Sequence, residues 1–189
     1  MLKNLKIASI LAGIALICSL LIALINMLTY DTIKNNNLEK ELNTIQTIFS
    51  DYDSSKSIEY ESDNQYIEKK IKAVDSNDNT LGYLYTVSGK NAYGNISLMV
   101  AVVDEMLYQV EFLENNQSFA STVYDYLKTS YPSSTDTAVH IGAYNSNDFL
   151  IDSLSLSDVE QIDVSCGATY GATLIKNLIL AALEDGREA

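Results

Sequence analysis

The sequence predicts an α+β protein: a single N-terminal transmembrane helix, then an antiparallel-sheet domain closed by a C-terminal helix. Three observations predict it. A charge-free apolar run fills Ile7–Leu28, apolar residues alternate in several short stretches between Tyr66 and Phe112, and helical spacing returns at Leu174, Leu178 and Ala181. The expected organisation is an anchor over residues 1–30, a helical stalk and acidic loop over 31–64, and a folded domain over 65–189.

The first run is 22 residues long and broken only by Ser9, Gly13, Cys18, Ser19 and Asn26. As a helix it would extend about 33 Å, close to the hydrocarbon thickness of a bilayer. A cleaved signal peptide has a shorter apolar stretch and a small-x-small site, and a lipoprotein signal at Cys18 would want a small residue where Ile17 stands. The segment is therefore expected to be an uncleaved anchor. Lys3 and Lys6 precede it, whereas Asp31 and Lys34 cancel on the far side. By the positive-inside rule the N-terminus lies in the cytoplasm and the domain outside it.

Next, Leu38, Leu42, Ile45 and Phe49 recur at helical spacing and extend the anchor as a stalk. Asp51–Asn64 is acidic, Ser-rich and aperiodic, and is expected to be a loop. In Tyr66–Val74, Ile67, Ile71 and Ala73 share one face, with Glu68, Lys70 and Lys72 on the other. The turn residues Asp75–Asn79 lead into Leu81–Val87, which predicts a hairpin. Ile96, Leu98, Val100 and Val102 alternate in a third strand, and Tyr108, Val110 and Phe112 in a fourth, joined by a turn at Asp104-Glu105. Phe119–Lys128 suits a short helix, His140–Leu156 is ambiguous, and a final helix runs from Ala172 to Leu183 and ends near Gly186.

Charge divides sharply along the chain. Residues 1–30 carry +2, so the remainder carries −15 of the overall −13. So acidic a domain excludes nucleic acid and anionic lipid as partners, because phosphates are repelled. Solubility is the plainest use of the acid. Cys18 falls in the anchor and Cys166 in the domain, so the two cannot pair. With no Cys-x-x-Cys and with His140 the single histidine, neither a thiol redox pair nor a His-based metal site is supported, and His140 is given no role.

The stretch richest in chemistry is Asp163-Val164-Ser165-Cys166-Gly167-Ala168-Thr169. Its small residues leave the Thr169 hydroxyl on an uncrowded backbone, and the helix that follows offers free N–H groups and a dipole that favour a phosphate. Here the chain resembles the FMN-binding domain family, whose members carry flavin on the threonine of an Asp-x-x-[Ser/Thr]-Gly-Ala-Thr motif. Cys166 stands at the Ser/Thr position, with Ser165 one place early, and Gly171-Ala172 replaces a frequent Thr-Ser pair. The resemblance continues through Gly82-Tyr83, Tyr93-Gly94-Asn95-Ile96 and Val110-Glu111-Phe112. Gln117 and Ser118 stand where that family has the Glu and Thr of a loop over the flavin, without its Pro and Gly. A polar strand-to-helix loop explains those two residues equally well. A Gly-Ala-Thr turn that merely starts a helix is likewise the plain alternative for the motif.

The order of anchor, outward domain and motif before a last helix is similar to that of the G subunit of the Rnf electron-transport complex and the C subunit of the sodium-translocating NADH:quinone reductase. The resemblance implies covalent FMN, joined by its phosphate to Thr169, in a relay that passes electrons among other membrane subunits and is not itself a free-standing catalyst. It implies a flavin transferase as a partner. Gly167 and Ala168 would give clearance, Cys166 would fill the hydroxyl position, and Thr173 is the fallback acceptor. Asp163 is left with two roles, recognition by the transferase or a turn-forming hydrogen bond. An independent extracytoplasmic FMN carrier and a flavin-free interaction module of the same fold remain open beside this reading.

Overall fold

The computed structural model describes residues 2–133 and 153–187 and divides into two compact units, Met1–Leu42 and Asn43–Ala189. His140 and most of the ambiguous His140–Leu156 stretch lie outside the described residues. The first unit consists of helix α1 (Leu2–Ile48) up to Leu42. From Ser9 this helix is long and apolar enough to cross a membrane. Ile10, Leu11, Ile14 and Leu21 are each more than half exposed, the pattern of a surface matched to lipid.

In the second unit, β1 (Ile58–Tyr60), β2 (Ile67–Val74), β3 (Thr80–Asn91), β4 (Gly94–Val103) and β5 (Met106–Asn115) form one antiparallel meander in chain order. Helices α2 (Ala120–Ser130), α3 (Leu156–Gln161) and α4 (Thr169–Arg187) follow. The α+β class with a sheet closed by a C-terminal helix is as expected. The short edge strand β1 falls within the segment expected to be a loop; it pairs Ile58 with Lys72 and Tyr60 with Lys70. Three residues with every side chain exposed leave no alternation from which to recognise a strand.

Both faces of the sheet are covered. On one, α4 buries Ile175, Leu178, Ile179, Ala182 and Leu183 in a core shared with Tyr85, Val87, Leu98 and Val100. Each such side chain contributes roughly 1.5–3 kcal/mol. On the other, Ile45, Ile48 and Phe49, from the end of α1 and the residue after it, pack with Ile71, Ala73, Leu84 and Met99. The stalk periodicity thus has a core-forming end: Ile45 is buried, whereas Leu38 and Leu42 are exposed.

One expectation about β2 is corrected. Ile67 does not share a face with Ile71 and Ala73, because the pairing with β3 slips between Ile67 and Lys69. This bulge turns Ile67 into the core under α4, while Ile71 and Ala73 face the end of α1. Lys70, directed to the α4 side, places its Nζ 2.6 Å from Asp185 Oδ2 near the end of that helix. Ser62 Oγ donates to the other oxygen at 2.7 Å. The hairpin turns follow their residues. Asp75 accepts the Asn77 and Asn79 amides at 2.8 Å, and Asp104 and Glu105 adopt positive φ in a two-residue turn.

Burial opposes ionisation of Asp185, but hydrogen bonds from Lys70 and Ser62 and the Lys70 charge outweigh it and hold the carboxyl below its ordinary value. Its stabilising effect is therefore present above the unfolded-state value, near pH 4, and disappears as pH falls through the lowered folded value. Asp185→Asn is expected to cost about 1–3 kcal/mol at neutral pH, and to flatten the loss of stability below about pH 4. Thermal melts of both proteins across that range check this. Equal stability at pH 7 would show that the pair contributes nothing.

Candidate functional site

Three backbone segments meet beside the start of α4. The β3–β4 turn carries Tyr93, the β5–α2 connection carries Gln117 to Phe119, and the turn after α3 carries residues 163–168. Asparagines and backbone groups bind them together. Asn116 donates its amide to Asn95 O at 2.9 Å, Ser118 N–H donates to Tyr93 O at 3.0 Å, and Asn91 Nδ2 donates to Tyr170 O at 3.1 Å. Gly94 makes the first junction possible. Its φ is +139°, and a Cβ there would lie 1.9 Å from Asn116 O.

The motif turn is held from both sides. Tyr126 donates its hydroxyl to Asp163 O at 3.1 Å, and Lys176 Nζ donates to Glu160 O at 2.7 Å and Ile162 O at 3.0 Å. α3 opens on a capping box between Ser155 and Asp158, which is the sequence signal that identifies it. The exposed Asp163 side chain accepts the Ser165 amide at 2.9 Å. That bond draws its carboxyl below the usual carboxylate value. Of the two roles left open for Asp163, the turn-forming bond is visible in the fold.

Cys166 Sγ accepts the Ala168 N–H at 3.4 Å, and Thr169 Oγ1 donates to Cys166 O at 2.8 Å. The thiol therefore occupies a hydrogen-bonding place that a hydroxyl would fill more strongly. Thr169 points its proton at a carbonyl and leaves its oxygen lone pairs open on an exposed residue. α4 begins at Thr169, three residues before the expected start, because Gly171 and Ala172 already donate to Ala168 O at 2.9 and 3.0 Å. The threonine thus occupies the first helical position instead of preceding the helix. Thr173 bonds back to Thr169 O at 2.8 Å, one turn further along.

Beside Thr169 lies a cleft of about 250 Å³ lined by Tyr93, Gln117, Phe119, Val123, Gly167, Ala168, Thr169, Tyr170 and Gly171. Of the expected site residues, Gly167, Ala168, Thr169 and Gln117 come together here. Cys166 supports the turn behind them. Asp163, Thr173 and Ser118 do not line the cleft. Among the described residues no aspartate, glutamate, lysine or arginine lines it either, although residues 31–189 together carry −15. Gln117 is 6 % exposed, and its Nε2 has no hydrogen-bond partner among the described residues. Gly171 is required, because a Cβ there would lie 2.6 Å from Val123 Cγ2. A Thr-Ser pair at 171–172, expected downstream of the motif from the resemblance, would therefore require the Val123 side chain of α2 to shift.

Sequence reasoning missed Tyr93, Phe119, Val123 and Tyr170 as lining residues. Tyr170 falls before the expected helix start at Ala172 and has no place in the expected core or site. It is 67 % exposed and packs on Tyr93, with ring centroids 5.4 Å apart. An aromatic beside an acceptor-like hydroxyl is the signal that could have found it. Chemically the site offers an oriented hydroxyl, the amides of a helix N-terminus, an aromatic rim and one buried amide without a partner. That donor set fits a planar, carbonyl-bearing ring on a phosphate tether.

Residues 1–48 match the family described as the RnfG N-terminal region. No curated protein matches the chain. The family match covers the whole of α1, including the helix able to cross a membrane. Over its N-terminal region the chain is similar to RnfG, and it has the build of a membrane-anchored, RnfG-like protein.

Proposed function

We propose that this chain is the flavin-carrying subunit of an Rnf-type electron-transport complex, with FMN esterified to Thr169. The similarity to RnfG over residues 1–48 supports the complex. The single observation that carries the cofactor is the exposed Thr169 hydroxyl at the first turn of a 19-residue helix, beside a neutral aromatic cleft. On this reading residues 1–30 anchor the protein, 31–64 form the stalk and loop, and 65–189 carry the flavin outside the cytoplasm.

Thr169 Oγ1 would supply the ester oxygen by displacing the leaving group of an activated flavin phosphate, its proton passing to the transferase, and the dipole of α4 would favour the phosphate. Gly167 and Ala168 leave room for the transferase that installs the group. Cys166 holds the Ala168 amide and, through its carbonyl, the Thr169 hydroxyl. Phosphate and domain carry the same sign of charge, so a covalent bond retains a cofactor that long-range electrostatics would expel. Once bound, FMN supplies the capacity to accept electrons from one membrane subunit and release them to another.

Co-production with a flavin transferase is expected to yield a chain that fluoresces as a flavoprotein after denaturation, with the mass increment on Thr169. Thr169→Val should abolish the signal and Thr173→Val should leave it. Cys166→Ser, which restores the stronger acceptor for Ala168 N–H, should flavinylate at least as completely. Covalent FMN on the Thr169 variant would overturn the attachment site. Absence of flavin from both wild type and Cys166→Ser would favour the flavin-free interaction module.

Orientation and assembly are tested separately. Protease added to intact spheroplasts should remove the domain, and mild detergent should retain it with other integral redox subunits. Protection until lysis would reverse the topology. Isolation as a monomer that reduces a soluble external acceptor would favour an independent carrier.

A further inference from the structure

The cleft holds two features that attachment at Thr169 does not use. One is the pair Tyr93 and Tyr170, 42 % and 67 % exposed, stacked on each other at a 35° tilt. Its position is fixed from both ends: Asn91 Nδ2 holds Tyr170 O at 3.1 Å, and Asn91 Oδ1 accepts the Tyr93 amide at 2.8 Å. The other is Gln117, whose buried Nε2 donor has no partner among the described residues. An unmade hydrogen bond of this kind is a standing cost that a ligand acceptor would remove. Exposed aromatic surface and a buried donor on one cleft describe a place for a flat ring with a carbonyl edge.

We infer that the cleft is a ring-recognition subsite, in which the Tyr93–Tyr170 pair stacks on a planar heteroaromatic ring tethered at Thr169 while the Gln117 amide donates to a carbonyl of that ring. The inference rests on the FMN reading above and deepens it, since isoalloxazine is a ring of this chemistry. Tyr170 adjoins Thr169 in sequence, so the attachment point and the stacking surface move as one. Gln117 acts here as a neutral donor. A carboxylate at the same place would accept instead of donate and would repel added electron density. Gln117 is thereby a positioning and potential-setting residue, and it lies beyond the attachment motif.

The test uses the full chain, co-produced with a flavin transferase and purified in detergent, with covalent FMN on Thr169 established by mass spectrometry. Gln117→Glu should shift the flavin midpoint to lower potential and make it more pH-dependent, and Gln117→Leu should lower it without the added pH dependence. Tyr93→Ala/Tyr170→Ala should raise flavin fluorescence severalfold and displace the visible absorption band. Both tyrosines are exposed, so this variant should melt with the wild type and keeps the test informative even if the Gln117 variants misfold. Unchanged fluorescence and spectrum in the tyrosine variant, with unchanged potentials in folded Gln117 variants, would overturn the subsite while leaving flavinylation intact. A wild-type chain without FMN on Thr169 would overturn the function itself and the subsite with it.

Discussion

Everything at the site depends on how α4 lies along the sheet. The helix commits Ile175, Leu178, Ile179, Ala182 and Leu183 to one buried stripe, and that stripe is matched by the alternating residues of β3 and β4. A helix buried along more than two turns cannot rotate or slide without exposing several of these side chains at once. Its first residue is therefore fixed relative to the β3–β4 turn. The Lys70–Asp185 pair secures the far end by charge, and the asparagine bridge from Asn91 secures the near end by hydrogen bonding. Thr169 acquires a defined position from packing that begins several residues away from it.

Close backbone approach follows from the same constraint. The β5–α2 connection passes so near the β3–β4 turn that only a residue without Cβ can stand at 94, and α2 presses Val123 against position 171 in the same way. These contacts draw Gln117 into the interior, where its amide Nε2 has no partner among the described residues. The site thus places a polar imperfection of the cleft next to the exposed Thr169 hydroxyl. Proteins commonly hold such local costs where a ligand is to relieve them.

Much of this was legible in the chain. Strands β2 to β5 announce themselves by alternation, α4 by the spacing of Leu174 and Leu178, and the acceptor candidate by the small residues around it. Three things were not. The bulge at Ile67–Lys69 changes the phase of the alternation, and no single residue type marks it. β1 is short and exposed on both faces, so it has neither length nor polarity pattern to betray it. Most of the cleft lining is contributed by residues distant in sequence, and Tyr93, Phe119 and Val123 become neighbours of Thr169 only through the meander and the return of the last helix. Gln117 was visible through its place in a loop, but its burial and its missing partner are tertiary facts.

The slipped pairing in β2 has a further consequence for how this chain tolerates change in length. With the extra residue at Glu68, one strand delivers Ile67 and Lys70 to the helical side and Ile71 and Ala73 to the other. The odd residue works as a phase adjuster between two cores that would otherwise demand incompatible spacings. Insertions in the loop before β1 leave this phase untouched. A single deletion between Ile67 and Lys70 would instead turn Ile67 away from Tyr85 and Val87 and reassign it to the opposite layer. Composition can change along the strand without disturbing the two cores, but its residue count cannot.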